Sequence, residues 1–414
     1  MTTPWSSNDS LSVSALRSRR WFLGLGAALG SIIAACRPGP PDDPGQSLLG
    51  APVSEYGPRS SFEKAVRIFR RSTTPEETSS LTPLQDSVGM ITPAALHYER
   101  HHSGVPEIDP AEHRLLIHGL VDRPLMFTMD DVRRLPSVSR IHFLECSGNG
   151  SGEWSRPTGS GVQRIHGLTS CSEWTGVPLS LLLEECGVRP EASWIVAEGA
   201  DACKMTRSVP LSGIDSEVLV AYGQNGEALR PAQGYPLRLL VPGCEGNISV
   251  KWLRRIKVVD QPYMTREETS KYTDLLADGR ARQFTLTMEA KSVITRPAPE
   301  HHVPGPGLYE ITGLAWSGRG AITRVEVTTD GGQTWRDADL QSPVLAIAHT
   351  RFRLPWTWDG SECTLQSRCT DATGYVQPTR EALVAVRGVQ SNYHNNSIQS
   401  WRLTGDGTLT NVHA

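Results

Sequence analysis

In the segment RIHFLECSGNG an apolar run delivers a thiol, Cys146, to a glycine-rich turn, and a strand that ends this way has few places to go in a fold. Arg140 to Glu145 reads as a mostly buried strand. Gly148, Asn149 and Gly150 then let the backbone turn sharply and come close to a bulky ligand. A thiol at such a rim is held by the strand and reachable from the loop. Two roles fit the placement: a buried structural cysteine, the ordinary fate of a free thiol, or a metal-ligating thiolate.

The chain has 414 residues, 38% hydrophobic and 21% charged, enough for two or three soluble domains with cores of their own. Its 41 Lys and Arg residues and 44 Asp and Glu residues nearly cancel, which argues against nucleic acid or an anionic membrane surface as a partner. The 38 glycines, 29 prolines and 11 tryptophans favour a loop-rich protein with much β structure. No long internal apolar run is available to span a bilayer.

Ser18, Arg19, Arg20, Trp21, Phe22 and Leu23, followed by a weakly apolar stretch to Ala35, read as a twin-arginine export signal over residues 1–36. That route carries proteins already folded, which suits a cofactor inserted in the cytoplasm and a destination in the periplasm. Ile33, Ala34, Ala35 and Cys36 fit a lipoprotein box as well as a small-residue cleavage site, so membrane tethering depends on whether Cys36 is acylated. Cys363 and Cys369 share one strand and lie about 20 Å apart at roughly 3.3 Å per residue, out of disulfide reach. A chain folded in a reducing compartment has little need of bridges, and mostly free, buried thiols are expected.

Residues 37–84, rich in Pro, Ser and Gly, read as a linker or wrapping arm with one amphipathic patch, Phe62 to Arg71. Strand and helix signals alternate over residues 85–278 and predict an α+β domain. Thr128, Asp130 and Asp131 cap a short helix stopped by Pro136, and Pro178 to Glu185 reads as a helix ended by Gly187. Over residues 282–388 the signal changes to short alternating runs, with Asp330, Gly331 and Gly332 as a hairpin turn, which predicts an immunoglobulin-like β-sandwich. Residues 389–414 read as a polar tail wrapping a neighbouring surface.

Cys146-Ser147-Gly148-Asn149 resembles the C-x-G-N molybdenum loop of the sulfite-oxidase family, and AYGQNGEALRPAQGYPLRLLVPGCEGNISVKWL, from Ala221 to Leu253, resembles that family's most distinctive segment. VEVTTDGGQTW, from Val325 to Trp335, resembles its immunoglobulin-like dimerisation domain. Within the family the wording ECSGNG, DATGYVQP and HNNSIQSW is most similar to the sulfane-dehydrogenase branch of thiosulfate oxidation.

The resemblance implies molybdenum held by the dithiolene of molybdopterin and by one protein thiolate, Cys146; soft sulfur donors suit a metal that changes oxidation state. Cys244, in its own Pro-Gly loop, is the rival thiol on local pattern. Arg100 matches the arginine beside the metal, able to orient an oxyanion, and Tyr272 the active-site tyrosine whose phenol donates to substrate. Tyr98, His101, His102, Asp201, Gln233, Arg238, Ser249, Val250 and Lys251 match the cofactor-binding positions, with Gln233 standing where the family often has histidine. Gly150 and Ser151 stand where sulfite-oxidising members carry arginine, so a pocket short of one cation, less suited to small dianions, is expected.

The resemblance therefore implies a periplasmic molybdenum oxidoreductase acting on a reduced sulfur group presented by a sulfur-carrier protein. No C-x-x-C-H haem motif occurs, so electrons must leave to a separate partner, by resemblance a c-type cytochrome subunit, with a homodimer inside a heterotetramer. A direct sulfite dehydrogenase of the same fold and a cofactor-free binding lipoprotein are the rival readings.

Overall fold

The computed structural model describes residues 52–70, 74–215, 217–276 and 278–413. The export segment and Cys36 lie outside the described residues. By internal contacts the chain divides into a unit ending at Glu63 and a unit running from Lys64 to the C-terminus. The first, described from residue 52, contains no strand or helix among the described residues.

The second unit begins with a three-stranded antiparallel sheet, Ile68–Arg70, Ser79–Leu81 and Glu99–Arg100. The stretch read as a linker or wrapping arm is therefore, in part, folded into a sheet. Its small polar residues misled the composition argument: Ser80 and Thr82 are buried, and the Thr82 hydroxyl meets that of Ser170 at 2.6 Å.

Two five-stranded sheets follow. One runs in the order Glu227–Ala228, Leu219–Gln224, Thr169–Pro178 and Val138–Glu145, with Arg238–Leu240 also paired to Leu219–Gln224. The other runs Leu125–Thr128, Arg114–Gly119, Leu253–Val259, Trp194–Gly199 and Thr206–Pro210. Leu253–Val259 lies parallel to Arg114–Gly119 and antiparallel to Trp194–Gly199. In Arg114–Gly119 the buried Leu115 and Ile117 alternate with more exposed neighbours, the period of a sheet with one face inward. They join Val177, Leu179, Val220, Leu237 and Ile256 in one core drawn from both sheets.

The helix Met129–Arg134 is closed by a capping box, Asp131 N–H to Thr128 Oγ1 at 3.1 Å and Thr128 N–H to Asp131 Oδ2 at 2.9 Å. Gly187, at φ +69°, terminates the helix Leu179–Cys186.

The β-sandwich packs a four-stranded sheet, Lys291–Arg296, Gly307–Trp316, Thr350–Trp358 and Asp339–Leu340, against a five-stranded one. The latter is ordered Arg336–Asp337, Ile322–Thr328, Cys363–Asp371, Ser400–Leu403 and Leu409–Val412. Its last two strands move the domain boundary past residue 388 to the C-terminal strands. Trp401, Leu403 and Leu409 are buried there, but strands this short and flanked by polar residues do not stand out in sequence. A helix, Arg380–Arg387, also escaped the sequence reading.

The sandwich core does not stop at the domain boundary. Phe143 and Cys171 of the first domain lie in the same cluster as Trp316, Phe352 and Trp401. Phe143 stands 6.4 Å from the Trp316 ring and 6.1 Å from that of His349. Full burial of a ring like Phe143 contributes about 2 kcal/mol, so the strand that carries Cys146 is backed by the second domain. All seven cysteines in the described residues are free thiols.

Candidate active site

Cys146 follows directly from the strand Val138–Glu145, and its amide donates to the Leu168 carbonyl at 2.9 Å. Beyond it the loop is tied by hydrogen bonds. Asn149 Nδ2 donates to Glu145 at 2.8 Å, and Asn149 Oδ1 accepts from the Leu168 amide at 3.1 Å. Gly150, at φ +83°, takes the left-handed turn that a side chain would resist.

The second domain grips the same loop from behind. Lys291 Nζ reaches Glu145 Oε1 at 3.1 Å, and Trp316 Nε1 donates to Glu145 Oε2 at 2.7 Å. The His394 amide donates to the Ser147 carbonyl at 2.8 Å, and Asn395 Nδ2 to that of Gly150 at 3.1 Å. The buried Glu145 carboxylate is thus paired and fully hydrogen-bonded, the condition under which a buried charge is tolerated.

An inner cavity of about 660 Å³, part of it open to solvent, lies on one side of Cys146. Every residue that the family resemblance assigns to metal, cofactor or substrate lines it: Tyr98, Arg100, His101, His102, Asp201, Gln233, Arg238, Ser249, Val250, Lys251, Tyr272 and Cys146. Arg238 donates to the carbonyls of Gln233 and Ser249, each at 3.0 Å, above the Trp174 ring at 4.9 Å, while its Nε has no partner. Burial brings its pKa down to about 10. Lys251 Nζ touches His101 Nδ1 at 2.8 Å and the carbonyls of Ala232 and Arg100 at 3.0 and 3.1 Å. Burial, then the Arg238 charge, push its pKa well below the ordinary lysine value.

Burial and the Lys251 charge take His101 down to about 3, and burial and Arg100 take His102 down to about 4, so both rings are neutral at neutral pH. Asp201 is the carboxylate of this lining, and it already accepts from the Met205 amide at 3.0 Å and the Cys203 thiol at 2.8 Å. A buried site with Arg100, Arg238 and Lys251 and one carboxylate favours an anionic guest.

A second, outer cavity of about 590 Å³ meets the first, and the two share Arg100, His102, Cys146 and Tyr272. Tyr272 sits at φ +53°, an uncommon conformation for a bulky residue, and its phenol is 2.8 Å from His102 Nε2. The Arg207 guanidinium lies 5.1 Å from its ring centroid and Tyr393 5.4 Å away, so the phenol is caged. Arg100 donates to the His101 carbonyl and pairs with Glu77 at 3.1 Å.

The rest of the outer lining includes Arg70, Lys271 and Tyr393. Gly150 and Ser151 bring no cation to this cavity, and Arg70 and Lys271 bring two from elsewhere in the chain.

The sequence profile of the oxidoreductase molybdopterin binding domain matches residues 102–267, and that of the Mo-co oxidoreductase dimerisation domain matches residues 282–401. The fold superposes on the crystal structure of the sulfane dehydrogenase SoxCD from Paracoccus pantotrophus with a TM-score of 0.88 and 47% identity, over 90% of this chain and 97% of that one. The chain belongs to the sulfite-oxidase family of molybdenum enzymes.

Nitrate reductases are similar to this sulfite-oxidase-family chain as well. The barley (Hordeum vulgare) NAD(P)H enzyme is 35% identical over 66% of this chain and 34% of its own length. The Ulva prolifera NADH enzyme is 30% identical over 77% and 39%. The chain thus spans little more than a third of the curated relatives it matches.

The family's cofactor is molybdenum carried by molybdopterin, and the residues present fit it. The cation cluster suits its phosphate, and the partnerless Arg238 Nε and His97 Nε2 are donors or acceptors in want of a polar guest. Burial raises the Cys146 thiol's pKa, so a stable thiolate there calls for a metal cation. Cys244 lies outside the lining of either cavity, and burial and Glu245 push its thiol up to about 12. Among the described residues no group of three His, Cys, Asp or Glu side chains is placed to hold a metal.

Sequence reasoning missed His97, Asn247 and Trp252 in the inner lining and Arg207 beneath Tyr272. His97 adjoins Tyr98 and could have been found from that adjacency; Arg207 has no local signal.

Proposed function

We propose that the chain is the molybdenum subunit of a periplasmic sulfur-oxidising enzyme, a sulfane dehydrogenase of thiosulfate oxidation, that acts on a sulfur group borne by a carrier protein and delivers electrons to a c-type cytochrome subunit. The observation that carries the reading is the meeting of the two cavities at Cys146, Arg100 and Tyr272, which separates a cofactor side from a substrate side. Bound in the inner cavity, the cofactor supplies a two-electron redox centre for oxygen-atom transfer. Each turnover adds one oxygen from water to the sulfur and releases two protons and two electrons, the latter to the cytochrome.

The protein's own groups orient this step. Arg100, fixed by Glu77 and the His101 carbonyl, faces the reacting sulfur with a permanent positive charge. The phenol of Tyr272, kept protonated by burial, is a hydrogen-bond donor at the same point. Neutral His102 holds that phenol and adds no charge. Two features support a carrier-borne substrate: the resemblance to the Paracoccus protein, and a second depression, lined by Gly152, Glu153, Thr158, Ser160, Arg164 and Ile165, that adjoins the outer cavity at Arg70. The twin-arginine segment supports the periplasmic location and an assembled cofactor before export.

A direct sulfite dehydrogenase is the second reading, and the cations Arg70 and Lys271 favour it, because they suit a small free anion. Steady-state assay of purified holoenzyme with free sulfite and with a sulfane-loaded carrier separates the two: turnover on the carrier and little on sulfite is expected, and the reverse establishes the second reading. Cys146→Ser is expected to fold and to lose turnover by at least about a thousandfold, the scale of a lost catalytic group. Unchanged turnover in that variant would remove the ligand assignment.

A further inference from the structure

The outer cavity carries more positive charge than its neighbours neutralise. Arg70, Arg100 and Lys271 line it, and among the described residues no Asp or Glu does. Glu77 stands near the rim but is taken by Arg100 at 3.1 Å. Glu153, in the adjoining depression, accepts from the Thr158 hydroxyl at 2.6 Å and from Asn411 at 2.8 Å. Arg70 spends one N–H on the Arg164 carbonyl, a neutral acceptor, which fixes its direction without cancelling its charge. Lys271 is exposed, and its backbone is tied to the Arg266 carbonyl at 3.1 Å directly before Tyr272. The two cations come from segments outside both matched domain profiles, one before residue 102 and one between 267 and 282.

We propose that Arg70 and Lys271 form the anion-recognising rim of the substrate cavity, gripping the sulfur oxyanion end of the substrate or product and replacing the cation that Gly150 and Ser151 do not supply. The proposal rests on the reading of Cys146 as the point of reaction. Arg70 offers a planar fork that matches two oxygens of a sulfonate, and Lys271 a mobile point charge beside the phenol of Tyr272. Both act on the guest and leave the cofactor's own contacts in the inner cavity untouched, so they are specificity-determining residues.

Equilibrium dialysis of radiolabelled sulfate against the molybdenum-loaded holoenzyme tests this without turnover. The wild type is expected to bind sulfate, and the Arg70→Gln, Lys271→Gln double variant to bind it about tenfold or more weakly, the scale of lost charge-assisted hydrogen bonds. Its molybdenum content and melting temperature should stay at the wild-type level, and Arg70→Lys with Lys271→Arg should restore most of the binding.

In turnover, KM rises about tenfold with kcat little changed, for free sulfite if the anion arrives alone or for a cysteine-persulfide peptide if the sulfur arrives on a chain. Undetectable sulfate binding by the wild type, or equal binding by the double variant, overturns the proposal. Failure of sulfur oxidation alone would instead overturn the functional reading, since dialysis does not depend on it.

Discussion

The inner cavity draws most of its polar groups from two short stretches, residues 97–102 and 233–252, whereas the outer cavity is assembled from residues far apart in the chain, among them Arg70, Lys271 and Tyr393. The first arrangement binds through a dense set of buried donors, each fixed by a carbonyl or a ring. The second leaves its cations on half-buried or exposed side chains with few protein partners. Burial makes the inner cations expensive without an anion, while the outer ones stay solvated until a substrate comes. Cofactor holding and substrate selection are therefore separable here, although the two cavities share Cys146, Arg100, His102 and Tyr272.

The strongest way to break that separation is to remove the inner cations. Arg238→Met combined with Lys251→Met is expected to cut molybdenum per chain at least about tenfold, since each loses charge-assisted hydrogen bonds to a phosphate. Metal analysis of purified protein reads this directly. Full molybdenum content in the double variant would show that the inner cluster does not retain the cofactor, and the contrast with the Arg70 and Lys271 variants would vanish.

The same contrast explains what could be read in the sequence. Cys146 to Asn149 and the run from Ser249 to Lys251 were legible because each is a short contiguous run resembling a family motif, although their contacts reach far along the chain, Lys251 Nζ to Arg100 and His101 and Asn149 Oδ1 to Leu168. Arg70 sits in a stretch whose serines and prolines resemble a linker, and its role appears only when Ser79–Leu81 pairs with Ile68–Arg70 and brings it to the cavity. Tyr393 had no signal either. It reaches the site because the segment before Ser400 hydrogen-bonds to the Cys146 loop through the backbone of His394 and the side chain of Asn395. The four longest sandwich strands were legible by alternation; Lys291–Arg296, the two-residue strands Arg336–Asp337 and Asp339–Leu340, and the last two were not, and in the last two the buried Trp401, Leu403 and Leu409 are set among polar residues over strands of four residues each.

Both cavities share a wall, the Cys146 loop, and Lys291 holds it from the second domain. Lys291→Met leaves the buried Glu145 carboxylate without its cation, which is expected to cost about 3–5 kcal/mol of stability, the range for breaking a buried pair. Adding Glu145→Gln should return part of it, because no buried charge remains, although the single amide oxygen can accept from only one of the two donors, Trp316 Nε1 and Asn149 Nδ2. Denaturant unfolding of the three proteins measures the effect. A loss below about 1 kcal/mol, the level of a solvent-exposed pair, would mean that water reaches the network and the wall is softer than its burial implies.

The smallest effect is expected at the seam behind that wall, and it depends on pH. His349 is buried beside Phe143 and Trp316, with Thr169 Oγ1 3.0 Å from its Nε2. Burial takes its pKa from the ordinary 6.5 down to about 3. The unfolded chain thus binds a proton below 6.5 that the folded chain refuses until about 3.

The stabilisation from the neutral ring is complete above pH 6.5 and is lost as the pH falls from there towards 3. In that window one such group steepens the fall by up to about 1.4 kcal/mol per pH unit. His349→Gln keeps a polar partner for Thr169 and removes the titration, so its stability should decline less steeply over the same window. The slope stays above zero because His97, also taken down to about 3 by burial, titrates in parallel. Equal slopes in the wild type and the variant would show that His349 is already protonated or solvated in the folded state, and that the seam behind Cys146 opens in acid before the cavities in front of it do.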